Sequence, residues 1–201
     1  MLTKQFIAGA IGQAGLAVSG ILALAIEYSY LLFESFIFLN IVYTDILIVS
    51  FVLILASTAR LSQTSESRSV GTVAVAFGII TGLINLIIYI EGWLGRNWVW
   101  GYTFTVSSEI LYYPNQTGLI LILATELTFG IALGFLGGFF MTYRKSFSPA
   151  LLWAATGIVY LAAAALQISF LFTDPAYILS IVAGIMGAVS LLLSKHRESK
   201  R

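Results

Sequence analysis

The chain has 201 residues, 59% of them hydrophobic and only 9% charged, with a formal net charge of +1. Average soluble domains carry about 25% charged residues, so too few groups remain here to solvate a water-facing surface, and an ordinary soluble fold is excluded. The near-neutral balance gives no field for a polyanion, so nucleic acid is not an expected partner. The absence of cysteine removes disulfides, thiol nucleophiles, iron–sulfur clusters and thiolate-held metals.

A bilayer core of about 30 Å is crossed by roughly 20 apolar helical residues. Six segments reach that length, at 5–27, 37–59, 70–92, 118–142, 149–171 and 175–194. They predict an all-α fold: a polytopic integral membrane protein, a six-helix transmembrane bundle forming one membrane domain over residues 1–201, with the lipid bilayer as its first partner.

The first segment begins near Lys4 and contains Ala23-Leu24-Ala25, a combination that also fits a secretory signal peptide with its small-residue cleavage site. Its length and its glycines favour a retained span; cleavage would leave five spans. The second segment carries Asn40 and Asp45, and Asp45 shares its helical face with Ile41, Ile48 and Val49, so any polar partner comes from elsewhere. A polar link, LSQTSESR, follows between Arg60 and the third segment. There Gly71, Ala74, Gly78 and Gly82 fall on one face, which Asn85 extends and Tyr89 continues one turn further.

Residues 93–117 form the one long link, WLGRNWVWGYTFTVSSEILYYPNQT, with three of the four tryptophans. Such rings favour the headgroup level, so the link reads as an interfacial aromatic belt; a lid or a docking surface is the sharper alternative. Tyr102, Phe104 and Val106 alternate with Thr103 and Thr105, a period that predicts a short strand. Asn115-Gln116-Thr117 is a glycosylation sequon, which makes Asn115 a candidate acceptor in a host that glycosylates.

In the fourth segment Glu126 stands four residues before Gly130, with Gly134 and Gly138 at the same spacing and Gly137 alongside. Pro149 suits the start of the fifth helix, one face of which carries Trp153, Gly157, Tyr160, Ala164 and Gln167. Thr173 or Asp174 is an expected N-cap and Pro175 a first-turn residue, leading into Ser180, Gly184 and Gly187.

Lipid gives no hydrophobic reward for helix association, so spans approach through small residues. Gly78, Gly82, Gly130, Gly134, Gly138 and Gly184 are therefore the candidate packing positions, with Gln13, Asn40 and Gln167 as interhelical hydrogen-bonding groups. An up-and-down threading puts Lys4, Arg60, Arg68, Arg144, Lys145, Lys195, Arg197, Lys200 and Arg201 on one side, leaving only Arg96 on the other. That bias is the positive-inside pattern. It predicts cytoplasmic N- and C-termini in a cell membrane, read as the plasma membrane.

Three polar residues fall at nearly one depth. From the segment bounds, Asp45 and Glu126 each lie about 12 Å below the outer boundary, and Asn85 about 10 Å. An unpaired carboxylate near mid-membrane costs about 2.5–3.5 kcal/mol on insertion scales. Asp45, Glu126 and Asn85 are therefore a candidate proton or cation site. The alternative is that each carboxyl is protonated and bonded separately to nearby backbone or hydroxyl groups.

His196 is the single histidine and falls in the basic tail, so neither a histidine metal centre nor haem ligation within the spans is expected. No Ser–His pair is available to a triad inside the membrane, and no phosphate-binding or dinucleotide-binding glycine motif occurs. No cofactor, metal or catalytic residue is assigned. Three function classes stand: an accessory subunit bound to other membrane subunits or to copies of itself, a small transporter or channel using the carboxylate layer, and a membrane-embedded enzyme.

Overall fold

The computed structural model describes residues 2–28, 33–61, 65–94, 100–106, 109–143, 147–169 and 173–196. Six helices dominate: α1 (Leu2–Glu27), α2 (Phe33–Leu61), α3 (Ser65–Trp93), α4 (Gln116–Tyr143), α5 (Ala150–Ile168) and α6 (Thr173–Leu192). All six are long and apolar enough to cross a membrane, over Lys4–Ile26, Ser35–Thr58, Ser69–Glu91, Gln116–Tyr143, Ala150–Ile168 and Asp174–Leu192. Between α3 and α4, strand β1 (Trp100–Val106) pairs antiparallel with β2 (Glu109–Pro114), from Trp100 opposite Pro114 to Val106 opposite Glu109. The strand expected from the alternation at 102–106 is thus one arm of a hairpin. The pairing of β3 (Phe147–Ser148) with β4 (Lys195–His196) ties the chain after α6 to the α4–α5 link.

The helix ends follow local chemistry. Asn115 caps α4: its Oδ1 accepts the Gly118 N–H at 2.9 Å and its carbonyl accepts that of Leu119 at 2.8 Å, serving donors that the first helical turn leaves unpaired. Pro149 holds an extended conformation at φ −82°, ψ 121° immediately before α5, and Pro175 lies in the first turn of α6. Both prolines stand where a missing N–H forfeits no helical bond.

Each helix packs against its successor and α6 returns to α1, so the six close into a ring. Glycine sets how near the backbones come. A Cβ on Gly12 would lie 2.7 Å from the Ser50 carbonyl oxygen, and one on Gly184 would lie 2.8 Å from that of Gln13. Phe51 of α2 fills the space against Gly78, and Ile48 the space against Gly82. On α4, Gly130 meets Ile168 and Gln167 of α5, Gly134 meets Ala164, and Gly137 meets Gly157 and Leu161. Gly138 departs from the expected stripe and faces Val70 of α3 instead.

The interior is filled by Phe51, Leu133, Leu136, Phe140, Trp153 and Tyr160. Phe140 lies 5.0 Å from the Trp153 ring and 5.9 Å from that of Tyr160. The outside of the ring is aliphatic on every helix, as Ile21, Val52, Ile80, Leu123, Ile158 and Ile185 illustrate. An apolar outer surface around a packed interior is what a hydrocarbon solvent selects. One end of the ring carries both chain-terminal helix ends and is termed the terminal end; the other carries β1–β2 and is termed the hairpin end.

Candidate functional site

Polar groups inside the ring form interhelical pairs at successive depths. Nearest the terminal end, the Trp153 Nε1–H donates to Ser194 Oγ at 2.8 Å, and Thr156 Oγ1 lies 3.1 Å from Ser190 Oγ. Deeper, the Tyr160 hydroxyl donates to Gln13 Oε1, linking α5 to α1 across the core. Thr81 donates to Thr128 at 2.8 Å, joining α3 to α4. Asn40 differs from the sequence expectation: its Nδ2 donates to the Phe36 carbonyl at 2.9 Å, within its own helix. The amide is placed one turn from that carbonyl, and the bond satisfies it locally.

Toward the hairpin end lies the half-buried Glu126. Gly130, one turn away, lets α4 approach the last turn of α5, and this brings the fully buried Gln167 beneath the carboxyl. Gln167 Nε2 donates to Glu126 Oε2. Tyr43 of α2 and Tyr89 of α3 stand within electrostatic reach of the same carboxyl. Tyr43 is hydrogen-bonded in turn to Tyr177 of α6, whose ring lies 6.2 Å from that of Phe129. Five of the six helices therefore contribute to one polar cluster around Glu126. Sequence reasoning placed Tyr89 on the Asn85 face but missed Tyr43 and Tyr177 and the meeting of all three around Glu126, because counting residues gives depth along a span and periodicity groups residues into faces, but neither says which faces meet.

The three residues of the expected carboxylate layer part company. Asn85 is buried, 7% exposed, on the α3 face that packs through Gly78 and Gly82 onto α2. Asp45 is exposed on the outside of the ring. Its α2 neighbours on that surface are Phe38, Val49 and Val52, at 63, 57 and 49% exposure. Among the described residues no hydrogen bond or ion pair joins Asp45 to Glu126 or to Asn85. Depth alone is shared: Asp45 and Glu126 each stand ten residues inside the spans that begin at Ser35 and Gln116, about 15 Å along the axis.

Asn115, the sequon residue, has its carboxamide oxygen engaged in capping α4. The tryptophan-bearing stretch 95–99, with Arg96 and Trp98, lies outside the described residues, as do Arg144, Lys145 and the tail from Arg197.

No protein-family model, curated protein or solved structure matches this chain. The fold itself defines the class: a six-span integral membrane protein.

Proposed function

We propose that the chain is a non-catalytic subunit of a larger membrane assembly, held to its partner through the Asp45 face of α2. The observation that carries this reading is the exposure of Asp45 on the aliphatic outside of the ring. Ionisable residues inside a membrane almost always face the bundle interior or a wet cavity and pair there, because an isolated charge at mid-depth costs about 2.5–3.5 kcal/mol. Asp45 has no such partner among the described residues of its own chain. Its neighbours Phe38, Val49 and Val52 offer a smooth apolar stripe for a second helix to lie against.

The chemistry of that partner follows. The six spans hold a single basic residue, Lys4, at the far end of α1, so a second copy of this chain brings no cation to the depth of Asp45. The matching group comes from a different protein with Lys, Arg or His inside a span. The one-sided distribution of nine of the ten basic residues supports cytoplasmic termini, and the plasma membrane is the location proposed.

Affinity purification in mild detergent from the host's own membranes tests this. The wild-type chain is expected to retain, in stoichiometric amount, a membrane protein with a basic residue inside a span. Asp45→Leu is expected to lose that protein while the chain keeps its thermal transition, since leucine extends the aliphatic stripe. A wild-type chain that purifies alone and monodisperse, or a partner retained equally by Asp45→Leu, contradicts the proposal.

A further inference from the structure

The buried carboxamide of Gln167 is incompletely satisfied, and what is missing identifies a ligand. Gln167 is fully buried, and its Nε2 donates to Glu126 Oε2. The other atom of the same carboxamide, Oε1, is buried with no hydrogen-bond partner. A buried acceptor without a donor costs about 1–3 kcal/mol, so native structures rarely leave one.

An ionised carboxylate is an acceptor only and cannot supply the missing bond, whereas a protonated carboxyl carries one O–H donor. Acid and primary amide are complementary in that state. The amide N–H donates to the carbonyl oxygen of the acid, the acid O–H donates to the amide oxygen, and two bonds close one ring. The Nε2 bond is in place, and the orphaned Oε1 sits on the same planar group.

From this we infer that Glu126 and Gln167 form a proton-binding site, in which Glu126 carries a proton and donates it to Gln167 Oε1. The surroundings agree. Tyrosines Tyr43 of α2 and Tyr89 of α3 stand near the carboxyl, with Tyr177 of α6 bonded to Tyr43. The spans bring no cation to this depth, their one basic residue being Lys4 at the terminal end. Glu126 is half-buried while Gln167 is sealed, so exchange proceeds from the Glu126 side. Release breaks the Glu126 O–H bond and passes the proton to water; the carboxylate left behind keeps the Nε2 bond and loses the bond to Oε1. The inference is independent of the partner proposed for Asp45, which lies on the outside of the ring.

Infrared spectroscopy of the purified chain in lipid vesicles, in light and heavy water at neutral pH, tests it. The wild type is expected to show a protonated-carboxyl C=O band that shifts on deuteration. Made in an Asp45→Asn background, which removes the lipid-facing carboxyl that would also carry a proton, Glu126→Gln is expected to lose the band and remain folded, because a second carboxamide can close a two-bond ring with Gln167. Asp45→Asn alone is expected to retain it. Gln167→Leu is expected to move it to the frequency of a carboxyl with fewer hydrogen bonds. Absence of the band in wild type, its persistence in the double variant, or indifference to Gln167→Leu overturns the proposal. Loss of the wild-type band when choline chloride is replaced by sodium chloride also overturns it, since the ligand would then be a metal cation.

Discussion

Gly137 and Gly157 face each other where α4 packs against α5, and a Cβ on either would lie 2.9 Å from the carbonyl oxygen of the other. The two backbones touch, and neither glycine can gain a carbon unless a helix moves. Gly134, one turn away, differs: a Cβ there would sit 3.6 Å from that of Ala164, in ordinary van der Waals contact. Gly137→Ala is therefore expected to destabilise the folded chain by about 1–3 kcal/mol, the usual penalty for overpacking. Gly134→Ala is expected to be neutral or to stabilise by up to about 1 kcal/mol through helix propensity. Unfolding of both variants in mixed detergent micelles checks the contrast.

The Tyr160–Gln13 bond gives a second expectation. Tyr160 is fully buried and Gln13 is 2% exposed, and Gly187 leaves space for the Gln13 amide: a Cβ there would lie 2.7 Å from Gln13 Oε1. Tyr160→Phe leaves that oxygen without its donor and is expected to cost about 1–3 kcal/mol. Adding Gln13→Leu removes the stranded group as well, so the double variant is expected to recover part of the loss. A double-mutant cycle on thermal unfolding reads the coupling, and strict additivity would show that the bond is not made.

These contacts show what the sequence made legible. The spans could be read because a run of about 20 apolar residues is dictated by bilayer thickness, whatever the helices later touch. Gly130 and Gly134 could be read as sharing one packing face, but neither the helix it meets nor the third member of the stripe could be chosen by counting in fours. At about 100° per residue, seven steps from Gly130 return to within about 20° of its direction and eight overshoot by about 80°, so Gly137 meets α5 while Gly138 meets α3. The same limit governs the polar layer. Depth follows from counting residues, so Asp45 and Glu126 were legible as equals. Azimuth depends on which neighbours a helix finds, and the ring turns Glu126 toward Gln167 and Asp45 toward the outside. Tyr43, two residues from Asp45, points the opposite way for that reason.

Membrane orientation yields a third expectation, made simple by the absence of cysteine. A cysteine at Gln116, at the hairpin end, is expected to react with an impermeant maleimide added to intact cells. A cysteine at Lys195, at the terminal end, is expected to react only after permeabilisation. The reverse pattern would contradict cytoplasmic termini, and reaction at both sites in intact cells would contradict the three spans that separate them.

The claim that Asp45 marks a docking face is tested most directly by proximity inside the membrane. A photo-crosslinking residue is placed at Val49, on the same outward face of α2, or at Ile185, outward on α6 and 52% exposed. After irradiation of native membranes, Val49 is expected to give one discrete adduct with another membrane protein, and Asp45→Leu is expected to abolish it. Ile185 is expected to give none. Lipid adducts alone at Val49, or a protein adduct that survives Asp45→Leu, would contradict the account.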